Sequence, residues 1–494
     1  MNLPRLGSGF AAAFAGGYGW QDLRQDVLAG LTVGIVAVPL AMALAIATGV
    51  APQHGLYTAI FAGGLIAATG GSRFNVSGPT AAFVVILFPI VAEFGLGGLA
   101  VATMMAGAML ILLGITGMGV LVKFVPYPVV LGFTAGIAVV IATRQIPDFF
   151  GLSTEPLGEH YVENLGLIGS AVGSVDPVEL LVGGLTLAVL LLWPRLRTPI
   201  PGPLMGLAVG ALLAWLLERY LGGDVMVATI DSRFTWEVGD LSGSGIPPML
   251  PEFGLPWRLP GADGTPLKVD FDLFRALLGP AMAIAMLAAI ESLLCAVVAD
   301  GMTRTRHDPN AELIGQGLGN LVVPFFAGIT ATAAIARTAT SVRSGARSPV
   351  AAIVHAAVVL LAVVGLAELL GRVPMAALAA LLFVVSWNMS EARHFMRTLR
   401  GSPTEDVVVL LVCFALTVLF DMVLAVAVGI GLAGALFIRR MALTTSSRRL
   451  DAAVDGVSAD LPEGVVVYDI NGPLFFGAAD RALSALRVVD PGMR

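Results

Sequence analysis

Runs of apolar residues long enough to cross a bilayer recur from about Val27 to Ile438, and no other feature limits the fold as severely. A helix needs roughly 20 residues to cover a hydrocarbon layer roughly 30 Å thick. Twelve such runs are read at 27–48, 54–70, 97–121, 128–146, 178–194, 201–221, 272–299, 312–329, 348–370, 374–388, 405–421 and 423–438. Two shorter ones begin near Pro79 and Ile335, which brings the total to fourteen. Only 13% of the residues are charged and 57% are apolar. A soluble domain carries roughly 25% charged residues, so this chain has too little polar surface to fold in water. The expected class is an all-α polytopic membrane protein, because a helix satisfies its own backbone where no water is available.

Other features exclude more than they assign. A net charge of −6 without a basic patch gives no nucleic-acid footprint. Cys295 and Cys413 sit inside apolar runs and read as small buried hydrophobes, neither a disulfide framework nor a metal site. The GxxxG pairs Gly132/Gly136 and Gly206/Gly210 read as ordinary packing glycines. Met1–Gln25 has no short apolar core followed by a cleavage site, so no removable signal peptide is expected. No paired carboxylates or His-Glu cluster suggest an intramembrane enzyme.

Fourteen crossings return both termini to one side. No Lys or Arg lies between Arg144 and Arg195, where Asp148, Glu155, Glu159, Glu163 and Asp176 fall. Alternate connections instead carry Arg73, Lys123, Arg195, Arg197, Arg304, Arg306, Arg343, Arg347, Arg393, Arg397 and Arg400. The positive-inside rule then makes both termini cytoplasmic in a multi-pass protein of the cell inner (plasma) membrane. The expected organisation is 1–26, cytoplasmic N-terminus; 27–221, first repeat; 222–271, extracytoplasmic loop; 272–440, second repeat; 441–460, linker; and 461–494, a soluble module. Gly464–Ile470 reads as a strand of that module, expected to be incomplete because about 35 residues are fewer than the roughly 50 of a small domain. The loop leaves seven spans on each side, and an odd number inverts the second half relative to the first.

The short spans take the third place in each half. Phe74–Thr80 and Thr330–Ile335 precede them as irregular, small or polar stretches, expected to be extended segments feeding half-helices, with Pro79 at a first helical position. Two half-helix N-termini meeting at the midplane would point free N–H groups and positive dipole ends at one spot, an anion site that needs no side-chain charge. Arg337, two residues into the second half-helix, adds a permanent cation with five donors. Glu291 falls near mid-bilayer, where a bare carboxylate is disfavoured, which makes it a candidate proton carrier. Nothing ties His355 or Glu368 to a site, and His307, Asp308 and the loop arginines read as a solvated face.

Several motifs together carry a family resemblance. Val38-Pro39-Leu40-Ala41-Met42-Ala43 with Gly55-Leu56-Tyr57 resembles the first-helix signature of SulP (sulfate permease) transporters. Ser77-Gly78-Pro79-Thr80-Ala81 is similar to that family's half-helix start. Asp308-Pro309-Asn310, Glu312-Leu313-Ile314, Gly319-Asn320, Ala336-Arg337-Thr338 and Gly345-Ala346-Arg347 resemble its second-half signature, and Gly472–Ala478 resembles the opening of its STAS domain. The resemblance implies a uracil-permease-like 7+7 fold whose core domain moves against a gate domain in an elevator-like manner, usually as a homodimer. It implies a site of Leu40, Leu44, Thr80, Phe83, Ala334, Ile335, Ala336 and Arg337, with Glu291 for proton coupling and no cofactor. Leu40 and Leu44 replace the Gln and aromatic common in the family, and Ala336 replaces a Ser. A pocket poorer in donors should favour an anion with an apolar part, so a small carboxylate or dicarboxylate moved with protons is the leading expectation. The alternatives are a bicarbonate or sulfate transporter or exchanger, a proton-coupled nucleobase permease, and a STAS-mediated sensor or scaffold.

Overall fold

The computed structural model describes residues 5–444 except 121–125, 197, 199, 222–225, 239–240 and 421, together with 446–450 and 467–471. The first half comprises α1 (Ser8–Phe14), α2 (Trp20–Ala47), α3 (Pro52–Thr69), β1 (Ser77–Gly78), α4 (Ala81–Ile115), α5 (Tyr127–Phe150), α6 (Tyr161–Ser170), α7 (Pro177–Leu192) and α8 (Gly202–Leu221). A connection with α9 (Ile230–Arg233), β2 (Thr235–Val238) and β3 (Leu241–Ser244) leads to the second half. That half runs through α10 (Phe271–Thr303), α11 (Pro309–Val322), β4 (Thr332–Ala333), α12 (Ile335–Arg343), α13 (Val350–Gly371), α14 (Met375–Met389), α15 (Ala392–Gly401), α16 (Thr404–Leu419) and α17 (Met422–Thr444). β5 (Ser446–Leu450) and β6 (Val467–Asn471) follow and pair antiparallel.

Eight helices among the described residues reach 18 residues and are apolar enough to cross a bilayer by length and composition. α4 holds two of the segments read from sequence: Gly95, at φ 69° and ψ −170°, breaks it, and a Cβ there would collide with the backbone of Gly261 and Ala262. Counted as two, α4 gives seven segments before the connection, and α10, α11, α12, α13, α14, α16 and α17 make seven after it.

Packing repeats between the halves. α2 lies on α13 as α10 lies on α4, α3 touches α13 as α11 touches α4, and α5 meets α16 as α14 meets α7. Exchanging the halves maps each contact onto its counterpart, as an inverted repeat requires. Two bundles result, one of α2, α3, α4 and α10–α13 and the other of α5, α7, α8, α14, α16 and α17. The GxxxG glycines serve packing within the second bundle: a Cβ on Gly132 would lie 2.6 Å from the Leu410 carbonyl oxygen, and one on Gly206 would lie 2.7 Å from Leu190.

The long connection is anchored at both ends. Ile230 N–H donates to the Val373 carbonyl at 3.1 Å, and Met375 N–H donates to that of Ala228 at 2.7 Å, while Val227 is buried with Val182, Ala214 and Ala376 of the second bundle. Farther along, Gly254 N–H donates to the Phe325 carbonyl at 2.7 Å and Gly97 N–H to that of Pro260 at 2.9 Å, with Phe253 stacked on Phe325, all on the first bundle.

Several local expectations need correction. Pro79 lies outside the helix, whose N-cap is Thr80, because residues 77–78 are committed to strand pairing. The span expected at 312–329 is helical only to Val322; a 3-10 turn at Val323–Phe326 then leads into extended chain. Ser446–Leu450, expected to be linker, is strand β5. His307 and Asp308 are no solvated face: Asp308 caps α11 through the N–H groups of Asn310 and Ala311, and His307 Nδ1 lies 2.7 Å from Asp300. Of the module read at Gly464–Ile470 only Val467 onward is described, and Gly472–Ala478 lies outside the described residues, as do Lys123 and Arg197.

Candidate functional site

Two extended crossings meet back to back. β1 and β4 pair antiparallel, Ser77 with Ala333 and Gly78 with Thr332, and Ala334 N–H donates to the Val76 carbonyl at 3.0 Å. From this two-stranded ladder the first segment of α4 and α12 depart, so the N-termini of both half-helices are held side by side. Neither N-terminus has a side-chain cap. At the head of α4 the Phe83 N–H bonds the Thr80 carbonyl at 3.3 Å, and the dipoles of both N-termini favour an anion.

Arg337 at N3 of α12 is 3% exposed. Its Nη2 donates to the Pro79 carbonyl of the other crossing, and its Nε has no hydrogen-bond partner. Gly78 leaves room for the guanidinium, since a Cβ there would stand 2.5 Å from Nη1. Glu291 on α10 accepts a 3.0 Å hydrogen bond from Thr80 Oγ1 at the head of α4. Glu291 and Arg337 lie near enough for each charge to act on the other, yet no ion pair within 4.0 Å joins them. The cation therefore remains free of a direct carboxylate contact.

The remaining expected residues are apolar. Leu44 and Phe83 are buried in one cluster, and half-buried Leu40 packs against it. Ala334 is half-buried, while Ile335 and Ala336 lie on the open face of α12. On the side of the long connection, Arg144 of α5 covers the Phe88 ring of α4 at 3.4 Å, a contact between the two bundles. His355 is fully buried in α13, and neither ring nitrogen has a partner; Glu368 pairs with Arg372 at 2.7 Å on the surface. Cys295 is buried, as expected, and its thiol donates to Thr338 Oγ1 at 3.1 Å, the same oxygen that accepts Val76 N–H at 2.9 Å.

Sequence reasoning left one supporting element without a role. On α11, Glu312, Gln316 and Asn320 are spaced by four and form one stripe of a helix. Glu312 accepts from Gly71 N and Ser72 N at 2.9 Å, Asn75 Nδ2 at 2.7 Å and Gln316 Nε2 at 3.0 Å. Gln316 also donates to Ser77 Oγ at 3.0 Å, and Asn320 bonds both backbone groups of Ala331 at 2.8 Å. The stripe fastens both crossings to one helix. Three polar residues with a period of four in an otherwise small and apolar helix are the signal that would have found it. Glu312→Ala leaves the Gly71 and Ser72 N–H groups without an acceptor, while Asn75 and Gln316 keep the Ser292 carbonyl and the Ser77 hydroxyl, and one buried charged network lost costs about 3 kcal/mol. The detergent-solubilised variant is expected to melt several degrees below the wild type in a fluorescence thermal scan; equal melting would show the stripe to be dispensable.

Among the described residues no group of three or more His, Cys, Asp or Glu could hold a metal ion. Comparison with known proteins agrees with the architecture. Residues 23–413 match the sulfate permease family. A putative sulfate transporter, YvdB of Bacillus subtilis, is 41% identical over 95% of this chain and 84% of its own length. The bicarbonate transporter BicA of a Picosynechococcus species is 31% identical over 93% of this chain and 80% of its own. Among solved structures, the transmembrane domain of a cyanobacterial bicarbonate transporter BicA aligns with TM-score 0.69 and 28% identity, covering 84% of this chain and 98% of that one. Murine Slc26a9 in the inward-facing state aligns with TM-score 0.80 over 99% of this chain and 81% of its own, and at 17% identity it speaks to fold alone.

Proposed function

The chain belongs to the sulfate permease family, and is thus an anion transporter and no enzyme; from that premise we propose a proton-coupled symporter of small carboxylates or dicarboxylates working by an elevator-like movement. The observation that carries the anion site is the pair of uncapped half-helix N-termini joined through β1 and β4, with Arg337 beside them. An anion there takes its hydrogen bonds from backbone amides and one guanidinium. Leu40, Leu44 and Phe83 offer none, and the Thr80 hydroxyl is engaged with Glu291. A fully hydrated oxyanion gives up water on every side, whereas a carboxylate needs donors at one end and apolar contact at the other.

Movement is supported by the two bundles: both half-helices belong to the first, so the site would travel with it past α5, α7, α8, α14, α16 and α17. Bicarbonate is the second reading, favoured by the named activity of the Picosynechococcus relative. Nucleobase transport is disfavoured by an Arg placed at two positive dipole ends.

A competition panel decides the substrate. Uptake of labelled succinate into proteoliposomes is expected to be suppressed by unlabelled succinate, fumarate and malate well before sulfate or bicarbonate at equal concentration. Suppression by bicarbonate or sulfate alone would replace the carboxylate reading with the corresponding inorganic anion.

A further inference from the structure

A cavity of about 1060 Å³ opens between the bundles on a side of α2 away from the candidate site. Ile35 and Met42 of α2, Leu207 and Leu212 of α8, and Leu361 and Leu366 of α13 make its walls. Leu40, a candidate site residue, lies two positions before Met42, about 160° round the helix. One helix therefore separates the cavity from the site. Some wall residues are open to the surroundings, with Leu361 70% exposed, so the space communicates with the bilayer.

Its polar residues gather at one end. Glu218 near the end of α8, Thr229 of the long connection and Arg372 just after α13 line that mouth. Val358 and Arg372 both line the cavity, and the intervening helix measures roughly 21 Å at 1.5 Å per residue. A single leaflet of a roughly 30 Å hydrocarbon layer is about 15 Å deep. With its headgroup region a leaflet is about 20 Å deep, so the space matches one leaflet, with apolar walls below the mouth and the charges of Arg372 and Glu218 at the mouth, where a zwitterionic headgroup would lie. Arg372 gives one N–H to Glu368 and is 61% exposed, so further donors remain for a phosphate oxygen. An apolar void of this size, open to lipid, fills with acyl chain in preference to water.

We propose that this cavity binds one phospholipid from the leaflet on the side of the long connection. Its chains lie among α2, α8 and α13, and its phosphate rests on Arg372. The lipid then packs against the back of the helix whose other face carries Leu40 and Leu44.

Native mass spectrometry of the full chain released from mild detergent tests this without reference to transport, so its outcome leaves the anion reading untouched. The wild type is expected to retain one phospholipid as a discrete adduct. Ala208→Phe with Ala211→Phe fills the cavity from partly exposed positions on α8 and should remove the adduct. Arg372→Gln, a surface change that leaves the fold intact, should lower retention by about fivefold, the factor a single charge-assisted contact at a wet site supplies. A statistical spread of lipids in the wild type, equal retention in Arg372→Gln, or a free fatty acid as the adduct would each overturn the proposal.

Discussion

Arg337→Ala is expected to abolish anion uptake in proteoliposomes while the protein still elutes as a folded species in size-exclusion chromatography. The guanidinium is buried, bonded to the Pro79 carbonyl, and adjacent to two uncapped helix N-termini. Removing one partner of a buried charged interaction costs about 3–5 kcal/mol, so uptake should fall by about a hundredfold or more. Arg337→Lys keeps the charge but loses the planar fork and should recover only part of the activity. Uptake by the alanine variant at the wild-type rate would take Arg337 out of the site.

Glu291→Gln is expected to remove the stimulation of uptake by an inward proton gradient that the proposed symport requires. The amide keeps an oxygen to accept the Thr80 hydroxyl, so the local geometry is expected to hold, but it binds no proton. Exchange of internal for external anion with no gradient should persist, which separates lost coupling from lost folding. If the variant still accumulates anion against its gradient when acid is outside, another group carries the proton. His355, buried in α13 with both ring nitrogens free, is the next to replace.

Much of this arrangement could be read before any coordinates. The bilayer demands long apolar runs, so α2, α5, α10 and α13 announce themselves by length alone. The two half-helices announce themselves by the opposite sign, short and interrupted at matched places, because extended backbone at that depth has to be paired. Here the pairing is β1 with β4. What stayed hidden depends on contacts between distant residues. Glu312 looked like part of a signature, but its role lies in Gly71, Ser72 and Asn75, some 240 positions earlier. His307 looked solvated because its partner Asp300 belongs to the preceding helix, across a turn. Arg393, Arg397 and Arg400 read as loop charges hide the helix α15, although their spacing of four and three places them on one helical face.

The long connection between the halves has a mechanical meaning. It is fastened beside the α13–α14 junction at Ala228 and Ile230 and to the first bundle at Phe253 and Gly254, and past the buried Ile246 and Pro247 only about 248–252 lies between those moorings. Five residues reach at most roughly 17 Å when extended, and Pro248 and Pro251 stiffen them. At the same end α13 passes into α14 across Arg372, Val373 and Pro374 alone, so if the bundles slide as proposed they can part there only slightly, and the greater displacement falls at the opposite end.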